Sequence, residues 1–392
     1  MKKYMILAAA AALTLAGCAK VETYKVSEND GQIPIGFANY TYRALSRADA
    51  GYSVDGTTNT NLINATEFGV YGWAVTQTVK DPWTSPALFD GTGAPNFMNN
   101  IPVTFKGGNK GADGSVNVSS EGYYSSGNPI RYWPSGDKPD GLSFYAYYPV
   151  AAVGNGLTMP ANGLGDTKFT VKTDAAAQYD FLVAPVVADQ WYGHTNSLYS
   201  TGTKGTVDFT FKHTLTKVRF YFKTDNTDAN TTITLPNAQL NGVYKTNTLT
   251  TSYAAGATAN NGTFAYDWGT AEDAENFDVK INGATPSATN VALSTTATTC
   301  TDADAFLMVP QTIAANAQKI TLTWTVETAG VTTTNTKTID LLDVKDSSNA
   351  AIQWEKNKQV SYTFIIGPKP IYFTASVDDW TAAEVAGSIN VQ

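Results

Sequence analysis

Alternation of apolar and polar residues at a period of two recurs along this chain, whereas helical periodicity is scarce. The clearest runs are QIPIGFANYTYR, EFGVYGWAV, LSFYAYYP, KITLTWTVET and QVSYTFIIG. Because successive side chains of a strand point to opposite faces, each run predicts a strand with one apolar face. Clusters of Gly, Asn, Asp and Pro separate the runs, as turns require. The pattern therefore predicts an all-β protein built from antiparallel β-sandwiches.

Composition narrows the functional classes. Charged residues make up only 15% of the 392 residues and the formal net charge is −8, which argues against nucleic-acid binding. Two histidines and two cysteines offer few ligands for a metal site. The sequence contains none of the usual nucleophile-elbow, zinc-protease, P-loop or dinucleotide-binding motifs. We therefore predict a protein that is not an enzyme and that carries neither a metal nor another cofactor.

The N-terminus, MKKYMILAAAAALTLAGCAK, has the organisation of a bacterial export signal. Two lysines precede an apolar stretch that is too short to span a bilayer, and small residues follow it. The sequence Leu15-Ala16-Gly17-Cys18 matches a lipobox, in which the cysteine is lipidated and becomes the new N-terminus. We predict a lipoprotein signal peptide over residues 1–17 and a lipid on Cys18; an ordinary secretory signal with a chance cysteine is the alternative.

The remaining chain is too long for one ordinary core, so we predict two β-sandwich domains. The small-residue stretch NSLYSTGTKGT suggests a boundary, which gives domains over residues 48–205 and 206–380. Directly after it, apolar residues fall on odd numbers up to Phe211 and on even numbers from Val218. A bulge or tight turn between them would keep both sets facing a core. His213 lies in this shift, where we expect it to satisfy backbone groups.

The chain contains only four arginines, and two of them lie in the stretch YTYRALSRADAG. The eleven residues that end at Arg43 form a predicted strand, with Ile33, Ile35 and Phe37 on its inward face. Removing such a strand would expose an apolar groove with unpaired backbone groups. Arg47 is followed by the small, polar residues ADAG, which suit a protease-accessible loop, whereas Arg43 adjoins the strand. Two solvated loop arginines without any processing are the alternative.

The C-terminal tail, residues 381–392, resembles the N-terminal strand in length and pattern. Val385, Gly387, Ile389 and Val391 fall on one face of an alternating run. The tail follows Trp380, where the last domain can already end. If the N-terminal strand were removed, the tail, which has a similar length and pattern, could take its place.

Four features together resemble the fimbrillin family, the pilus subunits of the Bacteroides–Porphyromonas group. They are the lipobox, YWPSGDKPDGLSFYAYYPV, YDFLVAP followed by FKHTLTKVRFYF, and IYFTASVDDW near the end. The resemblance implies two β-sandwich domains of transthyretin-like topology and export as a lipoprotein to the outer membrane. It also implies that an arginine-specific protease removes an N-terminal propeptide with one strand. The groove left behind then accepts a strand from a neighbouring subunit, and the assembled fimbrium is extracellular.

The resemblance assigns roles to particular positions of this sequence. The implied sites are the lipidated Cys18, a propeptide over residues 18–47 cut between Arg47 and Ala48 in preference to Arg43 and Ala44, a removable strand with Ile33, Ile35 and Phe37, and a donor strand in the 381–392 tail with Val385, Gly387, Ile389 and Val391. The implied partners are other fimbrial subunits, the protease and, through the lipid, the outer membrane.

Other readings of the sequence stay open. The chain could be a fimbrial anchor that keeps its lipid, or a tip adhesin. A surface glycan-binding lipoprotein made of β-sandwiches shares the lipobox and the aromatic loops, but it requires neither an arginine loop nor a donor-like tail. The position in the pilus, the partner subunits and any ligand on host or bacterial surfaces are not specified by the sequence.

Overall fold

Within the described residues, the protein folds mainly into β-strands joined by turns and by three short 3-10 helices. The computed structural model describes residues 35–41, 67–78, 86–105, 123–125, 131–135, 140–192, 206–281, 283, 290–346, 348–368 and 372–380. The 3-10 helices are Val150–Ala152, Ala175–Ala177 and Leu341–Asp343. The last two begin at aspartates whose carboxylates accept an N–H of the first turn, as N-cap residues do.

Nineteen strands are described. Those of the N-terminal half are β1 (Gly36–Thr41), β2 (Phe68–Val75), β3 (Met98–Phe105), β4 (Tyr123–Ser125), β5 (Gly141–Tyr148), β6 (Leu157–Thr158), β7 (Gly165–Thr170), β8 (Leu182–Gln190) and β9 (Thr206–His213). Those of the C-terminal half are β10 (Thr216–Lys223), β11 (Thr231–Ala254), β12 (Thr263–Trp268), β13 (Glu272–Asp278), β14 (Val291–Ala292), β15 (Phe306–Met308), β16 (Lys319–Thr328), β17 (Val331–Asp340), β18 (Lys358–Ile365) and β19 (Tyr372–Asp379).

Seven strands form a closed sheet in the order β1-β4-β3-β2-β5-β8-β9, with β9 returning to pair with β1. The remaining strands form a sandwich. One of its sheets has the order β15-β10-β18-β19, and the other has the order β17-β16-β11-β7-β6. β11 is the central strand of the second sheet, and its 24 residues also pair with β12, β13 and β14.

Two apolar cores result from this arrangement. The interior of the closed sheet contains side chains such as Val70, Phe144 and Phe209. The second core fills the sandwich and extends to the outer side of β2, β5 and β8. β5 lies between both cores, and all eight of its residues are buried. A strand covered on both faces is apolar on both, which explains why its sequence, GLSFYAYY, is so rich in aromatic residues.

The predicted change of register between Phe211 and Val218 marks the passage from one core to the other. Phe211 in β9 points into the closed sheet, whereas Val218 in β10 points into the sandwich. The two apolar sets therefore face different cores, and no single core requires them to share a register. His213, the last residue of β9, is buried, and its Nδ1 lies 2.8 Å from a carboxylate oxygen of Asp180. The neighbour of the imidazole is therefore a side chain, and not the backbone groups that we expected.

The all-β prediction is confirmed. Most pairs are antiparallel, as predicted, but β1–β9 and β10–β18 are parallel. Both parallel pairs join strands that are more than 100 residues apart in the chain, and parallel strands need such long connections. Within the described residues, no helical segment has both the length and the apolar character needed to cross a bilayer.

The division into domains at residues 205 and 206 stays a prediction. Strand pairing links the two halves: β9, from residue 206 onward, completes the closed sheet with strands of the first half. Conversely, β6 and β7 of the first half extend the sheet that is built on β11.

Candidate functional site: the position of β1 in the closed sheet

The backbone of β1 is held mainly by β9. Six consecutive residues, from Gly36 to Thr41, pair in parallel with Thr206 to Phe211. On its other edge, β1 pairs with the three described residues of β4 at Phe37 and Tyr123. The amide of Ile35 also donates a hydrogen bond of 2.8 Å to the carbonyl of Arg131. β1 is therefore inserted between two strands, and six of its residues pair with β9.

The side chains of β1 complete the core of the closed sheet. Ile35 and Phe37 are each 2% exposed. The Phe37 ring stacks on Phe209, with centroids 5.8 Å apart and an interplanar angle of 6°. It meets Phe144 edge to face at 5.7 Å and Phe68 at 6.5 Å. Because aromatic pairs favour these offset and edge-to-face arrangements, Phe37 fills a site that is shaped for a large apolar side chain.

β9 depends on β1 for most of its backbone hydrogen bonds. Its other neighbour, β8, pairs with it only at Lys212 and His213. Without β1, the stretch from Thr206 to Phe211 would have no strand on the side where β1 lies, and three phenylalanines would line the vacated groove. Unpaired strand edges of this kind accept a strand from another segment or another chain.

Trp380, the last described residue, lies beside His213, the residue at which β9 ends. Its ring stacks on His213, with centroids 4.0 Å apart and an interplanar angle of 9°. Its amide also donates to the carbonyl of Asn357 at 3.3 Å. The last described residue therefore lies beside the end of β9, the strand with which β1 pairs.

Two of the four arginines are described, and both are integrated in the fold. Arg219 is 5% exposed in β10, where its guanidinium and the ammonium of Lys217 each lie 2.5 Å from a carboxylate oxygen of Asp302. Arg131 is half-buried, and its carbonyl receives the hydrogen bond from Ile35 that is described above. Neither arginine presents the small, polar context of the stretch that follows Arg47.

The remaining predicted site residues lie outside the described ranges. They are Cys18 with the signal peptide over residues 1–17, Ile33, Arg43, Ala44, Arg47, Ala48, Val385, Gly387, Ile389 and Val391. The structure brings Ile35 and Phe37 together with Phe68, Phe144 and Phe209, which sequence reasoning had not joined to them. Their alternation signalled burial, but not which strands would be neighbours.

No metal-ligand constellation was found in the part of the chain that the structure describes: no group of three or more His, Cys, Asp or Glu side chains is placed to hold an ion. The described residues around β1 provide backbone pairing and apolar packing.

Comparison with known proteins gives the family. A family model described as fimbrillin-like matches residues 55–380. No curated protein matches. Among solved structures, a fimbrial protein from Bacteroides vulgatus is 21% identical over 80% of this chain and 92% of that chain, with a TM-score of 0.46. The tip fimbrial protein Mfa3 from Porphyromonas gingivalis is 11% identical over 79% of this chain and 100% of that chain, with a TM-score of 0.35.

The family match covers most of the chain, including β2 to β19 and Trp380. The resemblance inferred from sequence motifs is therefore confirmed: the chain belongs to the fimbrillin-like family.

Proposed function

We propose that this protein is a structural subunit of a cell-surface fimbria that supports adhesion. It is exported as a precursor with a lipid on Cys18, which anchors it to the outer membrane. An arginine-specific protease cuts after Arg47, or less favourably after Arg43, and thereby releases the lipid together with β1. The subunit then polymerises into an extracellular fimbrium when the tail strand from Val385 to Val391 of one copy enters the vacated groove of another.

The observation that carries this proposal is the place of β1. This strand precedes both loop arginines in the chain, and it occupies a groove in a closed sheet that other strands of the fold do not fill. Its loss would remove the two side chains of Ile35 and Phe37 from an otherwise complete core. A strand with apolar residues at alternate positions, as at Val385, Ile389 and Val391 of the tail with Gly387 between them, has the pattern needed to restore the backbone pairs and part of the packing.

The surroundings of the arginines support the choice of cleavage site. Proteases cleave preferentially in exposed loops, and buried strands do not offer such accessible segments. Arg219 is enclosed in β10, and Arg131 anchors the start of β1 through its carbonyl. An arginine-specific protease acting on the folded precursor therefore finds its best substrates in the stretch YTYRALSRADAG.

Processing is tested with a lipid-free precursor that begins at Ala19. Treatment with an arginine-specific protease should yield one stable product with Ala48 at its N-terminus, as measured by intact mass and N-terminal sequencing. Arg47→Lys keeps the charge but removes the preferred site, so it should slow trimming strongly, whereas the matched change Arg43→Lys should have little effect. If Arg43→Lys slowed trimming more than Arg47→Lys, the cleavage site would be Arg43. If the protease did not cut the wild-type precursor at all, processing would be refuted.

Strand exchange is tested with the trimmed chain lacking residues 385–392, which has a groove but no donor. A synthetic peptide of residues 381–392 should bind this acceptor and raise its melting temperature, and it should not bind the untrimmed precursor. A peptide in which Ile389 is replaced by Asp is the matched control. Filaments formed by the tail-less chain, or equal binding of the peptide to the precursor, would contradict the proposal.

A further inference from the structure

A cleft of about 790 Å³ opens in the sandwich, between the end of β12 and the segments that precede β16 and β18. Its lining includes Tyr244, Trp268, Glu355 and Lys356. Clefts that hold small ligands have volumes of roughly 300–1,000 Å³ and combine aromatic surfaces with a few polar groups. This cleft has no part in the strand exchange proposed above.

The walls of the cleft are fixed by side-chain amides. The carboxamide of Gln311 accepts from the N–H of Tyr244 at 2.9 Å and donates to its carbonyl at 3.0 Å. Gln353 accepts in the same way from the N–H of Ile313 at 2.8 Å. Backbone hydrogen bonds of 2.9 and 3.3 Å join Gln311 to Trp354. Because the backbone groups of Tyr244, Gln311 and Trp354 are already paired, they are not available to a peptide strand, and little ordering of these walls is required when a ligand binds.

Two half-buried aromatic rings line the cleft, on Trp268 and Tyr244. The indole N–H of Trp268 donates to the carbonyl of Thr214 at 2.6 Å, and Phe181 meets its ring edge to face at 6.5 Å. These contacts hold the indole in one orientation. Fixed aromatic faces favour ligands that present flat apolar surfaces beside polar groups.

The charged groups give the cleft a negative bias. The ammonium of Lys356 lies 2.7 Å from a carboxylate oxygen of Asp267 and 4.3 Å from the centroid of the Tyr266 ring. Its charge is therefore already matched within the protein. Glu355 is exposed at the rim and adds a second carboxylate. An anionic ligand would meet repulsion here, whereas hydroxyl groups can donate hydrogen bonds to a carboxylate.

We propose that this cleft binds a neutral oligosaccharide. The C–H face of a sugar ring matches the aromatic surfaces of Trp268 and Tyr244, and its hydroxyls match the carboxylate of Glu355. Acidic sugars are disfavoured by the negative bias, and peptides are disfavoured because the backbone of the walls is already paired. The site would give the subunit an adhesive surface of its own, separate from the β1 groove.

The test uses the complete chain, solubilised in detergent, on an array that carries neutral, sialylated and sulfated glycans. We expect binding to neutral glycans, followed by a titration with the best of them by calorimetry. Tyr244→Ala and Glu355→Gln should each raise the Kd at least about tenfold. Glu327→Gln removes an exposed carboxylate at the end of β16 and is the matched control, which should leave the Kd unchanged.

Several results would overturn the proposal: the absence of neutral-glycan binding, binding restricted to acidic glycans or peptides, or a Kd that is insensitive to both substitutions. Because Tyr244 is a residue of β11, circular dichroism checks that Tyr244→Ala leaves the fold intact. Glu355 is exposed, so Glu355→Gln tests the site with the fold intact. Filament formation by Glu355→Gln should be normal, which separates failure of this site from failure of the strand exchange.

Discussion

Truncation of Phe37 to alanine tests whether β1 completes the closed sheet of the precursor. The ring is 2% exposed and contacts the rings of Phe68, Phe144 and Phe209. Replacing a buried phenylalanine with alanine costs about 3–5 kcal/mol, which combines the lost burial with the cavity that remains. We expect the free energy of unfolding to fall by about 4 kcal/mol.

The measurement is urea unfolding followed by tryptophan fluorescence. It compares two chains, the lipid-free precursor beginning at Ala19 and the trimmed chain beginning at Ala48. Phe37→Ala should bring the stability of the precursor closer to that of the trimmed wild-type chain, which lacks all of β1. The matched control is Phe364→Ala in β18, a fully buried ring that stacks on Phe222 in the sandwich. This control should destabilise both chains by similar amounts, because it lies in the other core.

A loss below about 1 kcal/mol for Phe37→Ala would refute the reasoning, since surface changes give losses of that size. Equal stability of the wild-type precursor and the trimmed chain would refute it as well. Either result would mean that the groove does not need the side chains of β1, and an exchanged strand would then have nothing to replace.

Three further predictions concern buried polar groups. Burial raises the pKa of Asp189, which is 2% exposed, to about 6. The folded chain then keeps a proton that the unfolded chain releases, so the free energy of unfolding should fall by about 3 kcal/mol as the pH rises from about 3 to about 7. Asp189→Asn should abolish this fall in urea titrations, and an unchanged slope would contradict the assignment. Asp302→Asn should cost about 2–3 kcal/mol at neutral pH, because it leaves Lys217 and Arg219 buried without this carboxylate; the cost is below that of a fully buried pair because Asp302 is 37% exposed. A change of less than about 0.5 kcal/mol in the same titration would show that the pair is solvated. Burial also raises the pKa of the Cys300 thiol to about 11. In a chain without the first 47 residues, where it is the sole cysteine, it should react with Ellman's reagent at pH 8 at least about tenfold more slowly than in denaturant, and equal rates would contradict its burial.

Alternation along the sequence predicted burial accurately where a strand contributes one face to a core. In β18, Val360, Tyr362 and Phe364 lie in the core of the sandwich as predicted. In β5, Leu142 and Phe144 lie inside the closed sheet, as their shared parity indicated. Such predictions succeed because the period of two is a local property of an extended backbone and needs no knowledge of the partner strand.

The same patterns did not reveal that β5 is covered on its second face, or that β9 and β10 serve different cores. Both facts depend on which sheets lie against each other, and a period of two is compatible with either arrangement. His213 shows the same limit. Its place in a register shift signalled an irregularity, but its neighbours, Asp180 and Trp380, are 33 and 167 residues away in the chain.

What the sequence by itself determined is therefore the class of the fold, the family motifs and the inward face of the segment with Ile35 and Phe37. Local periodicity and turn residues are sufficient for these features. Only the tertiary structure decided that this segment lies between β4 and β9, parallel to β9, and that four separate segments line a cleft. The reason is physical: strand partners and cavities result from contacts between residues far apart in the chain, whose energies the local pattern does not contain.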